Sequence, residues 1–367
     1  MAGKPPKMAQ IDSEMGFSGG EVQVFLEMEE LRARGHDQVL IAPPGSASAR
    51  LAAERGFPVR EVPMRADGDL PALFRLGRAL RGIDLVHVHT SRAAWLAGFA
   101  CWRRKIPCVI TRRMDRRVRR GLQTRLIYHR FSQCTAAISP AVRQCLLDGG
   151  VEPQRIELVP EAVDPERIRV RRSRDATRAE LQLAPGQFGV LVMAALVHRK
   201  GHDLLLQAFA QLDDQNAVLL CAGAGPELAN LHRQAEQLGI AARVRFLGQR
   251  NDPGDLLHAA DLFVLPSRAE GLGVAALEAL GAGCPVIATR VGGLADVVLD
   301  GQCGLLVPPE DSRTLAAAMQ RLREDADLRL RLGAAGPARI DMGYRPAQMA
   351  SSYERLFARV LGGTGRA

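Results

Sequence analysis

Residues 261–289 read DLFVLPSRAEGLGVAALEALGAGCPVIAT. The runs DLFVLPS and PVIAT are almost wholly apolar, as strands buried on both faces of a parallel sheet must be. Between them VAALEAL has the composition of a buried helix. Strand, helix and strand in this order make a parallel crossover, because a tight hairpin can join only antiparallel strands. Glu270, Gly271, Leu272 and Gly273 fill the loop before the helix, and Glu278 lies inside it.

The same alternation extends in both directions. In the second half FGVLVMAAL, AVLLCAG, VRFLGQ and GLLVP read as further buried strands, separated by helices such as DLLLQAFAQL, PELANLHRQAEQLG and DSRTLAAAMQRLRED. In the first half MAQID, DQVLIA, DLVHVH and PCVITR read as strands, with GGEVQVFLEMEELRARG and SRAAWLAGFACWRRK as helices. Two such sets predict an α/β chain of two doubly wound, Rossmann-like domains. A polar seam at residues 164–187 divides them into residues 1–170 and 171–345; the last helix, within 346–367, is expected to pack back on the first domain. Ligands of open parallel sheets gather at the carboxyl ends of the strands, so the site is expected there, in a cleft between the two domains.

Composition narrows the classes. No apolar run reaches the roughly 18 residues of a membrane span, and residues 1–14, MAGKPPKMAQIDSE, hold no apolar core of a secretory signal. The seven cysteines are scattered without a C-x-x-C, which signals neither a disulfide framework nor zinc and fits a reducing cytoplasm. Residues 1–172 carry 29 Lys and Arg against 19 Asp and Glu, whereas residues 173–367 carry 20 against 21. The excess peaks in TRRMDRRVRRGLQTRLIYHR, residues 111–130, with eight Arg and one Asp. An anionic partner for the first half follows: a lipid headgroup surface or a phosphorylated glycolipid acceptor at Arg113, Arg116, Arg117, Arg119 and Arg120. A plain solvated basic surface is the alternative, and no nucleic-acid motif accompanies the charge.

Several loops carry chemistry. Gly19 and Gly20 open the first helix and let backbone N–H groups approach a phosphate or sugar, though a tight turn explains them equally. Neither SGGEVQ nor CAGAGPEL supplies G-x-G-x-x-G. Arg199 and Lys200 follow a buried strand and put positive charge where a diphosphate needs it. Gly271 and Gly273 leave the N–H groups of residues 272–274 open for an anion. A carboxylate facing inward at Glu278 needs partners, and a pair of ribose hydroxyls would suit it; a helix cap at Glu270 and a solvated Glu278 are the plainer readings.

The stretch Glu270-Gly271-Leu272-Gly273 to Glu278 resembles the E-x7-E signature of the retaining nucleotide-sugar glycosyltransferases of family 4, which have the GT-B fold. LVHRKGHDLLLQAF, CAGAGPELANLHRQAEQLGIAARVRFLG, CPVIATRVGGLADVVLDGQCGLLVPPED and AAISPAVRQCLLDGGVEPQRIELVPEAVD resemble that family's segments in family order. The resemblance implies transfer of a sugar from a UDP- or GDP-type donor to an acceptor hydroxyl, with retention and without a catalytic metal. It implies that Arg199 or Lys200 neutralises the diphosphate, with the amides around Leu272–Val274. Glu278 then holds the ribose, Glu270 the transferred sugar, and Gly248 and Gln249 lie near the base. Gly19 and Gly20 would meet the phosphate or acceptor. A subset sharing TRRMD points to lipopolysaccharide or another cell-surface glycoconjugate, made in the cytoplasm or on the inner face of its membrane.

Three positions depart from the family pattern. Ala195 stands where many members have Arg, Glu161 opens EAVD where many have N-G-V-D, and Arg113 occupies the place of a frequent His. His87 and His89 end a neighbouring strand near the cleft, His89 toward the acceptor side, with ordinary strand-end histidines as the plainer reading. Another GT-B enzyme, such as a nucleotide-sugar epimerase, and a non-catalytic nucleotide-sugar-binding module are the competing readings.

Overall fold

The computed structural model describes residues 6–212 and 214–363. The chain forms two compact units, Met1–Ala162 with Pro346–Ala367, and Val163–Arg345. The first unit holds β1 (Met8–Ile11), β2 (Gln38–Ala42), β3 (Val59–Glu61), β4 (Leu85–Val88), β5 (Cys108–Arg112), β6 (Cys134–Ala137) and β7 (Ile156–Leu158). They make one parallel sheet in the order β3-β2-β1-β4-β5-β6-β7. The second unit holds β8 (Phe188–Met193), β9 (Ala217–Ala222), β10 (Val244–Gly248), β11 (Leu262–Leu265), β12 (Val286–Thr289) and β13 (Leu305–Val307). Their order is β10-β9-β8-β11-β12-β13, again all parallel.

Three strands escape the sequence reading. β3 (VRE) is a polar edge strand, β6 (CTAA) is built of small residues, and β7 (IEL) is three residues long. None offers the apolar run that marks a buried strand. Five of the six strands of the second unit do, edge strand β10 (VRFLG) carrying Arg245, and all six form.

The division falls at Ala162 and Val163 rather than at residue 171. Gln23 explains the first side: its amide donates to the Ala162 carbonyl and accepts from the Ala162 N–H, at 2.8 and 2.9 Å. Beyond it the Val163 N–H donates to the Tyr344 carbonyl and Gly254 N–H to the Arg167 carbonyl, which ties the polar segment to the second unit. Helix Pro346–Gly363 belongs to the first unit, where Met349, Tyr353, Leu356, Phe357 and Val360 are buried with Met8, Leu26, Leu85 and Val109. Each such burial is worth about 1.5–3 kcal/mol. Among the described residues no helix is long and apolar enough to cross a membrane.

In each sheet the strand order reverses beside the first strand of its unit: between β1 and β4, and between β8 and β11. Loops leaving two such neighbours toward opposite sides open a crevice at their carboxyl ends. The chemistry-bearing residues lie on these loops.

Candidate active site

The β8 loop, Ala194–Gly201, and the β11 loop, Pro266–Gly273, are laid against each other by glycine. Gly201 has φ +69°, and a Cβ there would lie 2.0 Å from the Pro266 carbonyl oxygen. Only glycine permits that approach. The Arg268 N–H donates to the Arg199 carbonyl at 2.8 Å. The Arg268 guanidinium donates to both Asp203 oxygens at 2.6 and 2.7 Å, to the His198 carbonyl at 2.8 Å and to Glu310 at 2.5 Å. Burial pulls the Asp203 carboxyl upward, but the Arg268 hydrogen bonds and charge outweigh it and leave Asp203 below the ordinary carboxylate value. Arg268 thus splints the two loops; the sequence reading missed it because its main partner stands 65 residues away.

On this frame the residues named from the motifs meet. The Lys200 ammonium donates to Glu270, which is buried, and Ser267 Oγ donates to the same Glu270 oxygen at 3.0 Å. Arg199 stands 4.0 Å from the other oxygen with its side chain half in solvent. Glu270 does not cap the following helix. That place belongs to Gly273, at φ +96°, where a Cβ would lie 2.3 Å from Leu294 Cδ2. Helix Val274–Gly281 therefore starts without a side-chain cap. The N–H groups of Leu272, Gly273 and Val274 make no hydrogen bond among the described residues. They form the positive end of a helix open to an anion.

Glu278 is buried in that helix and accepts from Arg167 Nε at 2.6 Å. Burial raises its carboxyl above the ordinary value despite Arg167, and Asp164 adds to the rise. Arg167 lies 111 residues away and was invisible to motif reading. Gly248 and Gln249 are exposed at the end of edge strand β10, two strands from β8. Gly248 joins the β9 loop by accepting from the Gly223 N–H at 2.8 Å. In CAGAG, Gly223 and Gly225 serve close packing: a Cβ would fall 1.9 Å from the Ala194 carbonyl oxygen and 2.3 Å from that of Leu196. His202, next to Lys200, is a buried histidine that the sequence reading passed over. Burial, then the Lys200 charge, pushes it down to about 4, so its ring is neutral at physiological pH.

In the first unit Gly19 and Gly20 open helix Gly19–Ala33 with a capping box, Ser18 N–H donating to Glu21 at 2.5 Å. Gly20 faces Arg113, whose Cδ would sit 3.6 Å from a Cβ. Arg113 leaves the exposed basic group to which its neighbours belong. It is largely buried, donates from Nε to Glu161 at 2.8 Å, and donates to His89 Nδ1 at 3.2 Å. Two departures from the family pattern are thus one interaction: a carboxylate at 161 answers a guanidinium at 113. Arg116, Arg117, Arg119 and Arg120 remain exposed.

Behind Arg113 runs a buried polar chain. His89 Nε2 lies 2.8 Å from Gln10 Oε1, Gln10 Nε2 donates to Glu27 at 3.1 Å, and His87 bridges Glu27 and Thr111 at 2.8 and 2.7 Å. Thr111 Oγ1 meets Tyr353 OH of the C-terminal helix at 2.8 Å. Burial, then the His87 and Arg113 charges, hold His89 well below the ordinary histidine value. His89 accepts from Arg113 at Nδ1, so its proton sits on Nε2 and points at Gln10. Glu27, His87 and His89 have the donor atoms of a metal site. Their nitrogens are already engaged, and the Arg113 cation opposes a second cation there.

Breaking one side of a buried ion pair costs about 3–5 kcal/mol, because the other charge is left without a partner. Arg113→Met and Glu161→Gln are each expected to destabilise the chain by about that amount in urea unfolding, and the double variant to recover at least half of the summed loss. Additive losses would show that the two residues act separately.

Comparison with known proteins agrees with the geometry. Residues 173–339 match the family model of group 1 glycosyl transferases, and residues 17–167 match that of glycosyltransferase family 4. The lipopolysaccharide core biosynthesis glycosyltransferase LpsE of Rhizobium meliloti (strain 1021) is 32% identical over 235 residues, 64% of this chain and 67% of that protein. A D-inositol 3-phosphate glycosyltransferase of Nocardia farcinica (strain IFM 10152) is 33% identical over 280 residues, 68% of this chain and 61% of that one. The chain therefore spans about two thirds of these relatives' length. In fold it is similar to Anabaena HepE, solved in complex with UDP and glucose: TM-score 0.87, 22% identity, 96% of this chain and 100% of that one. Each unit holds a Rossmann-like parallel sheet with the reversed strand order, as in the GT-B fold, and the chain belongs to the family 4 glycosyltransferases.

Proposed function

We propose that the chain transfers a hexosyl group, with retention, from a UDP- or GDP-type sugar to an acceptor hydroxyl in lipopolysaccharide or another cell-surface glycoconjugate. The observation that carries this reading is the meeting of Lys200, Arg199 and Glu270 beside an uncapped helix N-terminus. When the bond between sugar and diphosphate breaks, negative charge grows on the leaving group. Fixed cations and helix N–H groups aimed at that charge lower the barrier without having to reorganise. Lys200 and Arg199 supply the cations from side chains, so the reading needs no metal. Lys200 binds Glu270; a donor would give it a phosphate instead and free Glu270 for the sugar hydroxyls. Neither carboxylate is placed as a free acid or base, since Glu270 is bound to Lys200 and Glu278 to Arg167. The likeness to LpsE supports the lipopolysaccharide assignment.

A screen of nucleotide sugars by thermal shift identifies the donor, because a ligand at about 100 times its Kd stabilises the fold by about 2.7 kcal/mol. With that donor and a glycolipid acceptor, Lys200→Ala is expected to lower kcat on the order of a hundredfold, and the product anomer to match the donor's. Interconversion of the donor sugar without an acceptor would favour the epimerase. Donor binding without turnover on any acceptor would favour the silent module.

The first unit supports an anionic acceptor presented at a membrane. From residue 70 to 130 there are fifteen Lys and Arg against two Asp, a net +13 that exceeds the +9 of the whole chain. Helix Leu70–Ala79 packs on helix Ser91–Arg104, and that helix on segment Leu126–Phe131. Leu70, Phe74 and Leu122, on or beside this layer, are 65%, 79% and 72% exposed among the arginines. Exposed apolar side chains among cations suit the inner face of the cytoplasmic membrane. Each basic residue near an anionic surface contributes about 1 kcal/mol. Replacing Arg116, Arg117, Arg119 and Arg120 by Ser is therefore expected to weaken sedimentation with anionic vesicles on the order of a thousandfold. Equal, salt-insensitive binding to neutral vesicles would contradict a membrane role.

A further inference from the structure

The strap Asp164–Arg172 begins the second unit and is fastened with unusual closeness. The Gly254 N–H donates to the Arg167 carbonyl at 3.0 Å, and a Cβ at Gly254 would lie 2.4 Å from the Arg169 carbonyl oxygen. Ile168 Cδ1 rests on Gly281, the last residue of the helix that carries Glu278, where a Cβ would lie 3.0 Å away. Asp255 Oδ1 accepts from the N–H groups of Arg171 and Arg172 at 2.7 and 3.0 Å. Gly254 and Asp255 thus pin the backbone from Arg167 to Arg172, Gly281 receives the Ile168 side chain, and Arg167 aims its guanidinium at Glu278.

Arg167 engages one Glu278 oxygen, Oε1. The other, Oε2, takes no hydrogen bond among the described residues. Arg167 and Asp164, both on the strap, are the charged groups that act on Glu278. On the adjoining helices Asp296 and Arg339 act on each other instead. The rest of helix Val274–Gly281 is Val, Ala, Leu and Gly. A carboxylate in such surroundings protonates readily when nothing opposes it. Once it is protonated on Oε2, that oxygen becomes a donor and loses the charge that strengthens its bonds to hydroxyls.

We propose that Arg167 is a positioning residue for the donor: it keeps Glu278 a carboxylate and turns Oε2 toward the ribose. This rests on reading Glu278 as the ribose-binding residue. Arg167 makes no contact with the reacting sugar in this scheme; it acts through Glu278, on affinity and on its pH dependence. Folded-state protonation of Glu278 removes a ribose acceptor, so affinity is full at high pH and falls as pH drops through the Glu278 transition. Without the Arg167 charge that transition moves up.

The test is UDP affinity by calorimetry between pH 5.5 and 8.5. Arg167→Gln keeps a hydrogen-bond donor without the charge. It is expected to bind UDP about tenfold more weakly at pH 6 than at pH 8.5, the effect of one unit of displacement. Wild type is expected to change less than about threefold over that range, and Arg167→Lys to follow wild type. A thermal melt of each variant at both pH values verifies folding. Glu278→Gln separates the two levels of the argument: it is expected to bind weakly at every pH. If it binds as wild type does, the ribose reading itself falls. If it binds weakly while Arg167→Gln keeps the wild-type profile, the role of Arg167 alone is overturned.

Discussion

The approach of the β8 loop to the β11 loop, with Gly201 against the Pro266 carbonyl, is the contact on which the site depends. Sheet order brings it about, because β8 begins the second unit and β11 returns to lie beside it. Nothing in local propensity demands that Lys200 and Glu270 meet across 70 residues. Parallel pairing of β8 with β11 does, provided the loops can close to within a hydrogen bond. Glycine supplies the closeness and Arg268 holds it, drawing Asp203 and Glu310 into one charged clamp.

Buried charge is paired throughout the site. In the second unit each carboxylate of the Glu270–Glu278 pair already has a cation, Lys200 for one and Arg167 for the other. A buried carboxylate left without a partner is costly, and each of these two has a cation beside it. The first unit follows the same economy with Arg113 and Glu161. Arg116, Arg117, Arg119 and Arg120 stay in solvent.

Much of this was legible in the sequence where the signal is local. The second sheet was readable because its strands are mostly apolar runs, and Glu270, Arg199 and Lys200 because they stand in loops at strand ends, with Glu278 inside the following helix at a known spacing. β3, β6 and β7 were not, since VRE, CTAA and IEL carry no buried-strand pattern. The partners were not legible either. Arg113 and Glu161 were visible only as two separate departures, 48 residues apart. Arg167 and Arg268 looked like any of the chain's many arginines until the fold set them beside Glu278 and Asp203. Sequence spacing identifies which groups have chemistry to offer; the sheet order decides which of them share it.

The most direct test of the account is a crystal structure of the chain with UDP. The account predicts the β-phosphate on the N–H groups of Leu272–Val274, Lys200 moved from Glu270 onto the phosphate, and the ribose hydroxyls on Glu278. UDP bound elsewhere, or bound there with the Lys200–Glu270 pair still closed, would contradict it.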